Sequence, residues 1–420
     1  MGKPCGERGW GAIVAQPRTV ADGVVKQRRL LPAVAPGGRA PENLALSAIF
    51  EGETFPHYLP AIMPLFFRRL FLCACLLLAT NPGRAQTINV EAVTRYWEIT
   101  DALRQDQPLT DQGWQDFLEI PGNKIYVRGI YSAANLKAYR RAIEVVYMPR
   151  YDSLRRARLD AKVWYYMMVN DYKEREPEYR RYVASLTQNT DVLDLMYQYA
   201  YTMLPPAARK RVADLNIYYE ALGNDATSQP EGIFYSLRAA LDASAVKRGM
   251  LEGHEMYHQL QPNRDFGPLA PDDAGLLEFM ASMQHEGTAD QIDKVPTMAL
   301  PGDPRGIREW ALTPAPAFIH RMDSALQARA RGGAAASLRW YRQLSNGSNG
   351  HLPGFFISSA IVRNGYGKQL VAQSDNPFAF VFLYQKAARK DRTLPRFSNA
   401  SIRYLKELER KYSRPRPAAS

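Results

Sequence analysis

The chain has 420 residues, with 54 Lys and Arg against 42 Asp and Glu, and a formal net charge of +12. Its three cysteines, Cys5, Cys73 and Cys75, all precede residue 86, so a disulfide framework downstream is excluded. The 335 residues from Gln86 onward exceed what one core usually fills, which points to two lobes.

Residues 1–62 scatter Pro, Gly and Arg without a hydrophobic period and read as an unstructured upstream segment. Met63 then opens a signal-like stretch: Arg68 and Arg69, a ten-residue apolar core from Leu70 to Ala79, and Gly83-Arg84-Ala85 as a cleavage site. The core falls well short of the ~20 residues a spanning helix needs, so removal at Gln86 is expected rather than a stable transmembrane anchor. The expected location is periplasmic or extracellular. Arg68-Arg69-Leu70-Phe71-Leu72 resembles a twin-Arg core, but Phe67 stands where Ser or Thr is usual, so Sec export is the default. Lipidation of Cys75 is the alternative, against which Leu76 to Leu78 continue the apolar run. Cleavage leaves 44 Lys and Arg against 37 Asp and Glu, a net +7. Interleaved basic and aromatic runs such as Tyr179-Arg180-Arg181-Tyr182 read as solvated helix faces, and export argues against nucleic acid as a partner.

From Val90 to Arg211 helical periods dominate, as in Leu136, Tyr139, Ile143 and Tyr147, or Val192, Leu195, Tyr199 and Met203; Pro205-Pro206 closes this lobe. Leu215–Leu222 and Gly232–Ala240 are the two strand candidates, joined by a turn-rich segment from Gly223 to Pro230. Ser244 to Leu260 reads as one helix capped by Asp242 or Ser244, with Gly249 and Gly253 marking a close backbone approach. The fold class is mainly α, two helical lobes with a small β element beside one particular helix.

That helix carries His254-Glu255-Met256-Tyr257-His258, an H-E-x-x-H pattern. Residues four apart share a helix face, so both imidazoles can reach one zinc ion at about 2.0–2.1 Å. Glu255 then lies beside the metal without binding it, where a carboxylate serves as general base. Zinc in a catalytic site needs a third protein ligand. Ala274 to Ile292 reads as a second helix with Phe279, Met283, Glu286 and Asp290 on one face, and Glu286 can be that ligand. His285 is a rival, but its neighbour points about 100° away, so the two cannot serve together.

After Lys294 a Pro-rich connection runs from Val295 to Pro304. Further helices are expected at Arg308–Arg331, Ser337–Gln343, Gly354–Asn364, Pro377–Ala388 and Ser398–Tyr412. His320, His351 and Tyr366 could each donate to a tetrahedral oxyanion if folded over the metal.

Across roughly Ile233 to Asp293 the chain resembles the thermolysin-like gluzincins, in which an H-E-x-x-H helix precedes a helix bearing E-x-x-x-D. It is most similar to a group of bacterial zinc-dependent peptidases, with Pro353-Gly354-Phe355-Phe356 matching their Gly-aromatic helix. The resemblance implies a zincin-like fold, with Glu286 as zinc ligand and Asp290 accepting the second ring N–H of His254. The metzincin extension is absent, Gln261 and Arg264 standing where its Gly and third His would be, and the oxyanion-stabilising Tyr and His of thermolysin have no obvious counterpart. It also implies an edge strand beside the active helix to which extended substrate adds, and Gly232 to Ala240 is the candidate. The expected boundaries are 1–62 upstream, 63–85 signal, 86–212 helical lobe, 213–300 metal-site core and 301–420 C-terminal helical lobe. The expected activity is hydrolysis of a peptide or protein substrate. The alternatives are an exported scaffold with a structural zinc, which would need no free Glu255, and a zinc hydrolase of non-peptide amides or esters.

Overall fold

A computed structural model describes residues 86–189 and 191–413. The signal-like segment, its cleavage site and Cys75 lie outside the described residues. Mainly helical, the protein has a first group of helices: α1 (Glu91–Arg104), α2 (Asp111–Glu119), α3 (Pro121–Ile130), α4 (Ala133–Tyr147), α5 (Asp152–Asp160), α6 (Trp164–Glu174), α7 (Glu176–Gln188) and α8 (Asp191–Thr202). Next come α9 (Leu237–Val246), α10 (Met250–Leu260) and α11 (Pro271–Met298), then α12 (Ala315–Ala330), α13 (Leu338–Leu344), α14 (His351–Arg363), α15 (Gly367–Ala372), α16 (Pro377–Lys390) and α17 (Asn399–Ser413). No described helix is long and apolar enough to cross a membrane.

Four strands form one sheet in the order β1 (Thr87–Asn89), β2 (Asn216–Glu220), β4 (Gly232–Ser236), β3 (Ala226–Gln229). The pairs β1–β2 and β2–β4 are parallel, while β3 lies antiparallel to β4 at the edge. Two expectations change here. The segment read as a turn between two strands contains β3, which its polar Ala-Thr-Ser-Gln sequence conceals. Gly232–Ala240 is not the edge: its first five residues form an interior strand, buried throughout, and from Leu237 it becomes α9. Gly-Ile-Phe-Tyr-Ser is the continuous run that a strand covered on both faces requires.

The helix expected over Ser244–Leu260 is also two helices. Ser236, not Asp242 or Ser244, caps α9 through its hydroxyl. Asp242 instead pairs with Arg175 at 2.9 Å. Gly249, at φ 83°, breaks the run and starts α10, a backbone position that favours glycine. The expected close approach is on the back of α10, where a Cβ on Gly253 would sit 2.5 Å from that of Tyr199 on α8. Further on, α11 runs to Met298 with Pro296 inside it, so the helix extends into the expected Pro-rich connection. A π turn at Arg308–Leu312 interrupts the helix expected from Arg308.

Two hydrophobic clusters dominate. The first gathers α1 to α4 and α6 to α10 with the sheet and the end of α11, from Val93 to Ile292; the second gathers α11 to α17, from Leu276 to Leu408. The helix α11 enters both: Leu276, Leu277, Phe279, Met280 and Met283 lie in the second, Ala289 and Ile292 in the first.

Candidate metal centre

The helix α10 is anchored from below. Met256, Tyr257 and Leu260 are buried in the first cluster, and the carboxylate of Glu252 accepts from the hydroxyls of Tyr182 at 3.1 Å and Tyr219 at 3.3 Å. Burial raises the pKa of Glu252, and the two tyrosine bonds offset part of that. Held this way, the opposite face of α10 presents His254 and His258, four residues apart, to the middle of α11.

There the sequence-predicted donors meet. His258 Nε2 lies 3.2 Å from His254 Nε2 and 3.2 Å from Glu286 Oε2, and His254 Nε2 lies 3.9 Å from the same oxygen. Four tetrahedral ligands at about 2.0–2.1 Å from zinc are separated from one another by about 3.3–3.4 Å. Two imidazole nitrogens and a carboxylate oxygen at these spacings fit such an ion, and all three atoms lie within 4.8 Å of one another. Burial alone would lower the pKa of His258, but the charge and hydrogen bond of Glu286 together with the charge of Glu255 outweigh it and lift it to about 9. Burial would raise Glu286, yet His351, His258 and His254 hold it well below the carboxylate range. The donor set is one that draws positive charge.

Glu255 is buried beside this group, and burial raises its pKa, with the charges of Glu286 and Asp225 adding to the effect and His254 and His258 opposing it. A carboxylate moved up from its ordinary range is a stronger proton acceptor at neutral pH.

The ring hydrogen bonds differ from expectation. His254 Nδ1 meets Asp293 Oδ1 at 2.9 Å, whereas Asp290, the residue expected there, stays 3.8 Å away. Asp290 instead meets His351 Nδ1 at 3.0 Å. On α11 both aspartates lie on the Glu286 face, at i+4 and i+7, and the crossing of α10 over α11 selects the farther one. Lys294 Nζ sits between them, 2.5 Å from Asp290 and 3.4 Å from Asp293.

Of His320, His351 and Tyr366, His351 is the one that lies at this donor group. His351 opens α14 with Nε2 3.3 Å from Glu286 Oε2, and charges on Glu286 and Asp290 overcome its burial to raise its pKa to about 9. It arrives there because α14 crosses α11 glycine on glycine: a Cβ on Gly287 would fall 2.2 Å from the Gly354 carbonyl carbon. His320 is exposed on α12. Tyr366 follows the far end of α14, about 20 Å along the helix from His351 at 1.5 Å per residue, with Lys386 over its ring. The rival ligand His285 lies outside the converging trio, its pKa lowered to about 4 by burial first and by the charge of His258.

Reasoning from sequence missed Asp293, Lys294 and Gln259. Lys294, four residues after Asp290, carried the signal of a helical ion pair. Gln259 follows His258 and donates to Ser228 Oγ and to the Gln229 carbonyl, both at 2.7 Å, clamping β3 to α10. Because Ser236 N donates to the Asp225 carbonyl, alternate residues from Asp225 onward face β4. Ala226 and Ser228 therefore turn their backbone N–H and C=O to the open side of the edge, where the Ala226 N–H is taken by Asp225 Oδ1 at 2.9 Å.

A family model described as "Putative zinc dependent peptidase (DUF5700)" matches residues 114–393. No curated protein and no solved structure matches the chain.

Proposed function

The chain belongs to the DUF5700 family, and on that premise we propose that it is an exported zinc peptidase of gluzincin type that hydrolyses peptide bonds in extended substrates. The observation that carries the reading is the convergence of His254 Nε2, His258 Nε2 and Glu286 Oε2 at tetrahedral spacings beside a buried carboxylate that binds none of them. When bound, zinc polarises the scissile carbonyl and acidifies a water molecule.

The chain's own groups supply the rest. Glu255 takes the proton of the attacking water and delivers it to the leaving amine, a shuttle suited to a carboxylate whose pKa is raised by burial. Asp293 holds the Nδ1 proton of His254, which fixes the tautomer that leaves Nε2 free to ligate. Asp290 does the same for His351, so its Nε2–H is available to the oxyanion. The open edge of β3 offers the Ala226 carbonyl and the backbone N–H and C=O of Ser228 to an extended peptide main chain. Export rests on the segment from Met63 to Ala85, and intact mass of the exported form should begin at Gln86.

The test is Glu255→Gln against a peptide library. The variant should keep zinc and fold while hydrolysis drops about 10²–10⁴-fold. If zinc-loaded wild type cleaves no peptide, or the variant cleaves equally well, the peptidase reading fails, and a structural zinc or a non-peptide hydrolase takes its place.

A further inference from the structure

Beside the three zinc donors lies a second cluster that could hold a cation: His254, Asp290 and Asp293, whose ligating atoms lie within 4.8 Å of one another. The chain fills it from its own sequence. Lys294, largely buried with 16% of its side chain exposed, places Nζ 2.5 Å from Asp290 Oδ1 and 3.4 Å from Asp293 Oδ2. Each aspartate spends its remaining capacity on a different histidine, Asp293 on His254 and Asp290 on His351.

We propose that Lys294 is a positioning residue: one ammonium joins the aspartate that orients the metal ligand His254 to the aspartate that orients His351, and it takes the place of a second metal ion. The inference rests on the metal reading above. Three carboxylates, Glu286, Asp290 and Asp293, crowd this end of the centre, and Asp290 is fully buried. Like charges at such distances repel strongly in a low dielectric, so without the ammonium that bridges them the two aspartates are pushed apart. That separation releases a histidine. Because Lys294 touches neither imidazole, it acts on both only through these shared oxygens. The ammonium also occupies the second three-donor group, which argues against a two-metal centre.

Lys294→Met keeps the stem and removes the charge. Zinc affinity by chelator competition should fall about 10–100-fold, the usual effect of losing a group that orients a ligand. In the metal-free protein the Nδ1–H signals of His254 and His351 should both shift in nitrogen-detected NMR, and kcat should fall more than KM rises. Wild-type protein should carry one zinc by mass spectrometry. A folded variant with unchanged zinc affinity and unmoved histidine signals overturns the proposal, as does a second zinc in the wild type. Stranding two buried carboxylates can prevent folding. In that event Lys294→Met with Asp290→Asn, which removes one charge of each sign, must bind zinc more weakly than Asp290→Asn alone, and equal binding overturns it. The NMR arm needs neither zinc nor substrate, so a wild type that binds no zinc refutes the proposed function and leaves the coupling of the two histidines to be judged separately.

Discussion

Gly354→Ala isolates the contribution of α14 to the centre. A Cβ there would lie 2.2 Å from the Met283 carbonyl oxygen and 2.8 Å from Gly287 N, both backbone atoms of α11 that cannot rotate away. Restoring an ordinary contact requires the helices to part by about 1 Å, and such overpacking costs about 1–3 kcal/mol, offset by about 1 kcal/mol because alanine is the better helix former. The net loss of up to about 2 kcal/mol should lower the midpoint of thermal unfolding by up to about 3 °C in calorimetry. The same displacement takes His351 Nδ1 from 3.0 Å to about 4 Å from Asp290, beyond hydrogen-bond reach. If His351 serves the oxyanion, kcat on a cleaved library peptide should fall by about 10²–10³-fold. Zinc affinity should hardly change, because all three donors reside on α10 and α11. Unchanged unfolding together with an unmoved His351 ring signal would refute the packing argument. A variant that loses zinc as completely as it loses activity would refute the assignment of His351 to substrate rather than metal.

Asp293→Asn should weaken zinc binding about 10–100-fold in a chelator titration, while Asp290→Asn should cost zinc affinity less and activity more; the opposite order would return the His254 partnership to Asp290. Glu220→Gln tests a buried carboxyl that no residue of the proposed mechanism uses. Both oxygens of Glu220 lack a hydrogen-bond partner beneath the start of α3, and burial raises its pKa well above the ordinary value. With the folded pKa above the unfolded one, its contribution to stability is present below about pH 4.3 and is lost as pH rises, by at most about 1.4 kcal/mol per unit. The variant's advantage over wild type in urea unfolding should therefore grow from pH 5 to pH 8, and an advantage that ignores pH would contradict this assignment.

What the sequence made legible was local. His254 and His258 share a face because they are four apart, and Glu286 with its aspartate belongs to the same helical arithmetic. The mainly helical class, the strands beginning at Asn216 and Gly232 and the long run of α11 followed from hydrophobic period. Errors arose where a residue's meaning depends on a neighbour distant in the chain. Gly249 reads as an interior position of one helix, whereas at φ 83° it separates two, with Leu195 Cβ 2.6 Å from where an added Cβ would lie. Asp290 and Asp293 are equivalent on a helical wheel, and only the crossing angle of two helices separates them. His351 stood as one of three equal candidates until Gly287 and Gly354 brought α14 against α11. The edge strand hid because Ala226 to Gln229 carry no apolar alternation; their role lies in main-chain groups, to which side-chain patterns are blind.

The passage of α11 through both hydrophobic clusters makes any bound metal a fastener across a seam. His254 and His258 ride on a helix rooted in the first cluster, whereas Glu286 rides on one whose preceding turns, from Leu276 to Met283, are rooted in the second. Because Glu286 lies between Met283 of the second cluster and Ala289 of the first, an ion that grips all three donors ties α10 to the stretch of α11 where the clusters meet, and its binding free energy, about 1.4 kcal/mol for every tenfold excess over its dissociation constant, is credited to that junction. Metal-loaded protein should therefore protect this stretch of α11 from hydrogen exchange, and stripped protein should open there first.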